Sequence, residues 1–244
     1  MKQFGFLFNW GGFDVKKSSS IGSPSADEFL NKINDIPQLS DITGRHGARV
    51  PKDMPSTWRL LSFRSPKPLA GEDLDDSKRL DGGDFPYHVL VRINPKAGTV
   101  IFASRRYSIT EAAVMTFHTY TVPKMQRRNV RVAELAERLL TKRASTDYFI
   151  TFINADVPGY GEALRSISLE GEDIAGTGFF IVGSDTEPSP TKGGLHYSNF
   201  NAKRIGLRPV TSRNECGRFG ADNRVEFSDE SIGALEDFFS FVNV

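Results

Sequence analysis

Between Lys2 and Trp10, Phe4, Phe6 and Phe8 recur at every second position. In an extended chain that period puts the three rings on one face, so the segment predicts a half-buried strand. After a Gly-, Ser- and Lys-rich stretch from Gly11 to Pro24 the period changes. Ser25 and Glu28 form a capping box, Phe29, Ile33 and Ile36 follow at helical spacing, and Pro37 stops the helix they predict. Residues 41–55 are polar and hold Gly44, Gly47, Pro51 and Pro55, which reads as a loop with room for a short strand at Ala48 to Pro51. Trp58 to Phe63 reads as a strand.

The clearest local unit is a hairpin. His88 to Asn94 and Thr99 to Arg105 are two strand-like runs, and Pro95-Lys96-Ala97-Gly98 joins them as a four-residue turn. A helix is expected over Ile109 to Val122, and a second over Val130 to Lys142, where Val132, Leu135, Ala136, Leu139 and Leu140 form one stripe. Strands are expected at Tyr148 to Ile153, Gly178 to Gly183, Lys203 to Val210 and Arg224 to Phe227. Ser228 or Asp229 then caps a last helix carrying Ile232, Leu235, Phe238, Phe239 and Val242. This order holds no repeated βαβ unit, so it predicts an α+β fold, with a mostly antiparallel sheet, packed helices and a C-terminal helix. A boundary near Pro123 would divide it into α+β regions 1–122 and 123–244, with a single domain as the alternative.

Composition narrows the class. At 244 residues, 25% charged and 39% hydrophobic, the chain can bury a core, and wholesale disorder is excluded. One cysteine, Cys216, excludes an intramolecular disulfide and a Cys-rich zinc site. Apolar runs fall short of a membrane span and the first residues lack a signal peptide's apolar block, so a cytoplasmic protein is expected, with no membrane partner. No metal site or cofactor loop is predicted: Gly159-Tyr160-Gly161 and Gly176-Thr177-Gly178 lack the third glycine of a dinucleotide loop, and no Walker A sequence occurs.

The net charge of +1 hides strong segregation. From Lys124 to Arg143 seven bases (Lys124, Arg127, Arg128, Arg131, Arg138, Lys142 and Arg143) meet only Glu134 and Glu137. Lys203 to Arg224 is also basic, with Lys203, Arg204, Arg208, Arg213, Arg218 and Arg224 against Glu215 and Asp222. Such segments can neutralise phosphates, and counterion release would make the binding salt-dependent; the competing reading is a solvated helix face with Glu134 and Arg138 paired. Conversely, Gly71 to Asp84 holds six acids against two bases, and Glu226 to Val244 five acids and no base. The acidic last helix therefore suits a basic patch of this molecule or of a partner.

Two resemblances add to this reading. Arg45-His46-Gly47-Ala48-Arg49-Val50-Pro51 resembles the R-H-G-x-R-x-P signature of the histidine acid phosphatases, which implies His46 as nucleophile with Arg45 and Arg49 clamping the phosphoryl oxygens. That family also uses a later His-acid pair, whereas His88, His118 and His196 are followed by Val, Thr and Tyr. Separately, the strand Trp58 to Arg64, the hairpin through Val89 to Ile101 and Ser104 to Thr110 opening a helix resemble, in layout, uncharacterised prokaryotic phage-defence proteins such as the DNA-binding subunit of the Kiwa system. This implies a binding component, for nucleic acid or a protein partner, of an antiviral defence or regulatory assembly. The alternatives are the phosphoryl-transfer hydrolase and a plain protein-interaction module, with a protein partner or as a homo-oligomer, built on the Phe-rich last helix.

Overall fold

The segments of period two become antiparallel strands, and those of helical period become helices that cover them. A computed structural model describes residues 2–9, 36, 38–42, 54–69, 80, 83–94, 98–120, 125–141, 147–157, 165–175, 180–181, 195–196 and 201–242. The chain has a mixed α+β fold, with helices α1 (Tyr107–Tyr120), α2 (Val132–Thr141) and α3 (Ile232–Val242). It divides into two compact units, residues 1–128 with 228–244, and residues 129–227.

The first unit contains β1 (Lys2–Asn9), β2 (Leu39–Asp41), β3 (Trp58–Ser65), β4 (Phe85–Asn94), β5 (Thr99–Ser104) and β6 (Gln126–Arg127). The strands run antiparallel in the order β2-β3-β4-β5-β1, and β6 pairs with β1. The β4–β5 turn ends at Gly98, whose φ of 60° lies in the left-handed region that glycine enters at no steric cost. Alternation sorts the two faces. Phe6, Phe8, Leu61, Phe63, Val89, Val91 and Phe102 form a core with Ile109, Ala113, Val114 and Phe117 of α1. Tyr107 adds ring contacts to Phe4 and Phe6 at 5.0 and 5.5 Å, so the phenylalanines of β1 do share one face.

On the opposite face lie Leu7, Trp58, Leu60, Leu90, Arg92 and Ile101, all buried. Here α3 is fastened by charge as well as by packing. Glu236 accepts from Trp58 Nε1 at 2.6 Å and from Arg92 Nε and Nη2 at 2.5 and 3.1 Å, while the Arg92 guanidinium lies 4.5 Å from the Phe239 ring centroid. With helices on both faces, every residue of β5 is buried. Ser228 accepts from the Glu230 amide and caps a 3-10 turn, Asp229–Ser231, that leads into α3.

The second unit contains β7 (Tyr148–Asp156), β8 (Ser166–Glu170), β9 (Phe180–Ile181), β10 (Leu195–His196), β11 (Asn201–Pro209), β12 (Gly217–Gly220) and β13 (Arg224–Ser228), the last residue of which counts with the first unit. Its antiparallel order is β13-β12-β11-β7-β8, and β9 pairs with β10 in parallel. The α2 stripe Val132, Leu135, Ala136, Leu139 and Leu140 is buried, as are Ile150, Ile153, Ile205 and Leu207 on the strands it packs against. The helix expected after Ser25 and the short strand at Ala48 to Pro51 lie outside the described residues, apart from Ile36, which is buried. Among the described residues no helix is long and apolar enough to cross a membrane.

Candidate nucleic-acid interface

Strand pairing, more than composition, decides where the basic residues go. In β11, Arg204, Gly206 and Arg208 alternate with the buried Ile205 and Leu207, so they occupy the sheet face opposite α2. Their partners across β7 are Asn154, Phe152 and Phe149. The ladder shifts register between Gly206 and Leu207: Gly206 pairs with Phe152 and Leu207 with Ile150, leaving Thr151 as an extra residue. That bulge turns Phe149 and Phe152, three positions apart, onto one face.

A row of side chains therefore crosses five strands on this face: Glu170 of β8, Phe152 of β7, Gly206 of β11, Arg218 of β12 and Glu226 of β13. Because Gly206 has no side chain, Arg218 reaches over it. Its guanidinium sits 4.4 Å from the Phe152 centroid and bonds Glu170 at 2.5 Å, and its Nε donates to both Glu215 oxygens at 3.1 and 3.2 Å. Glu215 also accepts from Thr151 Oγ1 at 2.8 Å. Arg204 pairs with Glu226 and lies 5.8 Å from the same Phe152 ring. Arg208 stacks 4.7 Å from the Phe149 centroid and donates to the Ser212 and Glu172 carbonyls at 2.8 and 3.2 Å.

The electrostatics of the cluster follow from these contacts. Burial alone would lower the pKa of the Arg218 guanidinium, but the hydrogen bonds it donates to Glu170 and Glu215, with their charge, raise it above its ordinary value. Arg204, Arg208 and Arg218 balance Glu170, Glu215 and Glu226 in number, so this surface offers oriented guanidinium planes more than net charge. Cys216 lies next to Glu215 in sequence but is fully buried. Burial, and then the Glu215 charge, push its thiol up to about 12 against weaker backbone hydrogen bonds, so it is no thiolate nucleophile at neutral pH.

The other predicted basic residues are placed differently. Arg131, the residue before α2, and Arg138 of α2 project into solvent, on the opposite side of the second unit's sheet from Arg204 and Arg208. Arg131 is 80% exposed and pairs at 3.3 Å with Glu134, and Glu137 is a further exposed acid on the helix. With Arg131 counted at its start, the helix thus carries two bases against two acids. Arg127 is exposed on β6 and Arg128 is half-buried, its amide donating to the Leu7 carbonyl at 3.1 Å; both count with the first unit. Lys124 and Lys142 lie outside the described residues, as do His46, Arg45 and Arg49. Among the described residues no three His, Cys, Asp or Glu side chains gather as metal ligands.

No protein-family model matches the chain, and no curated protein matches it in sequence. The functional argument therefore rests on this chain's own geometry. Charge counting finds Arg204, Arg208 and Arg218, with Glu215 as an opposing acid, but misses Phe149, Phe152 and the bridge that Arg218 makes between Glu170 and Glu215, since cross-strand neighbours depend on register and a bulge that leave no sequence pattern.

Proposed function

We propose that the protein is a nucleic-acid-binding component that engages single strands on the sheet face bearing Phe149, Phe152, Arg204, Arg208 and Arg218. The observation that supports this reading is the laying of three guanidinium groups against two phenylalanine rings on one partly exposed face. Unstacked bases bind by stacking on aromatic rings and on guanidinium planes, which suits such a surface. In the antiviral or regulatory assembly that the layout resemblance implies, this face would do the sensing, and the α2 arginines, on the other side of the sheet, would lie outside it.

Because the acids of this face balance its bases, binding here depends on stacking more than on counterion release. Labelled single-stranded DNA and RNA should bind with a shallow salt dependence, and duplex DNA should bind more weakly. Replacing Phe152 or Phe149 by Leu keeps apolar volume but removes the ring, and should weaken binding about tenfold, within the ~1–3 kcal/mol that a stacked base contributes. Absence of single-strand binding, or steep binding that ignores both phenylalanines, overturns the reading and leaves a protein partner as the occupant to test.

A further inference from the structure

On the first unit's sheet, α3 covers only part of the face it occupies. It is fastened at Trp58 and Arg92, at the first residue of β3 and toward the end of β4. The 3-10 turn before it reaches β1, where Gln3 Nε2 donates to Asp229 Oδ1 at 2.6 Å. At the opposite ends of β3 and β4 the same face bears Ser62, Arg64 and His88. Ser62 pairs with His88 and Arg64 with Pro86, which makes Arg64 and His88 diagonal neighbours, typically about 7–8 Å apart. Arg105 follows the last residue of β5, and because Leu90 pairs with Ala103, the ladder continued by two residues sets Arg105 opposite His88; partial burial, and then the Arg105 charge, hold the His88 imidazole below its ordinary value. Arg64, His88 and Arg105 are all exposed, and among the described residues none of them is paired with a carboxylate.

We propose that this corner binds a compact oxyanion of the phosphate class, gripped by the Arg64 and Arg105 guanidinium groups with His88 as a third donor. Guanidinium groups present paired donors that match a tetrahedral oxyanion, and two of them beside one imidazole, with no carboxylate partner among the described residues, favour an anion here. The site is in the other unit from the proposed nucleic-acid face and stands or falls separately from it.

The test is NMR of the His88 imidazole in the full chain during titration with inorganic phosphate, glycerol phosphate and sulfate. Bound anion should shift the His88 signals saturably and raise its pKa from the depressed value. Sulfate keeps its charge through the imidazole titration, so its affinity should rise as pH falls and His88 takes up a proton. Of the charged groups on this face, Arg105 after β5 acts on His88, Arg64 of β3 lies diagonal to it, and Asp229 is held by Gln3 at the β1 side. Arg64→Ala and Arg105→Ala, both at exposed positions, should each weaken binding about tenfold, with Arg64→Lys intermediate and circular dichroism unchanged. Tighter glycerol phosphate than phosphate identifies an ester as the ligand, and the reverse identifies the free ion. No saturable shift with any of the anions, or shifts indifferent to both arginines, overturns the proposal.

Discussion

At Gly206 the missing side chain lets Arg218 cross from β12 to the Phe152 ring and lets the Glu215 carboxylate rest against the sheet. A Cβ there would meet Glu215 Oε1 and stand 2.7 Å from Phe152 Cβ. Gly206→Ala should therefore displace the Arg218–Glu215 arrangement and destabilise the second unit by about 1–3 kcal/mol, the usual scale of overpacking, read as a lower urea midpoint. Cys216 offers a second check at this scale. With its thiol buried and raised to about 12, the native protein should resist alkylation at neutral pH and react once unfolded. The sign of its pH dependence is fixed too. As pH rises past the ordinary thiol range the unfolded chain loses this proton while the folded chain keeps it. Stability should then fall by up to about 1.4 kcal/mol per pH unit until the folded thiol also ionises, a slope absent in Cys216→Ala. The sequence shows Cys216 as one cysteine beside an acid; its inertness comes from burial under a register that the sequence does not display.

Among elements, α3 depends on one polar anchor within an apolar interface. Segregated charge makes an acidic helix seated on a basic group legible as one of two options, and the structure seats it within the molecule, through Glu236 and the buried Arg92. Removing one partner strands the other charge in the interior, so Glu236→Ala should cost about 3–5 kcal/mol, measured by denaturant unfolding with Trp58 fluorescence as reporter. The double change Arg92→Met with Glu236→Leu should recover most of that loss, because no unpaired charge remains. Elements with a strong intrinsic period were readable: β1 from its phenylalanines, β4 and β5 from their turn, and α2 from its stripe. Strands β8 and β12 were not. Gly217-Arg218-Phe219-Gly220 has two glycines in four residues and is extended because β11 and β13 pair with it, not because of its own propensity. Candidate-site reading followed the same line: positions of Arg204 and Arg208 came from charge, whereas their aromatic partners came from pairing.

For the whole molecule, chain order and spatial order part company, because residues 228–244 count with residues 1–128 while the second unit lies between them in sequence. No local pattern announces that return, since a capped amphipathic helix looks the same whichever sheet it covers. Its consequence is a test by truncation. A chain ending at Phe227 loses Phe238 and Phe239, both fully buried, together with Glu236, and so uncovers Trp58, Leu60, Leu90 and Arg92. Burial of each such large side chain is worth about 1.5–3 kcal/mol, so the loss rivals the net stability of a small domain. Amide exchange should show β3, β4 and β5 losing protection in the truncated chain, while α2, β7 and β11 hold theirs because their core of Leu135, Leu139, Ile150, Ile153, Ile205 and Leu207 is built within residues 129–227. Equal loss throughout would mean that the two units unfold as one cooperative body, and unchanged protection of β4 and β5 would mean that α1 alone suffices to stabilise their sheet.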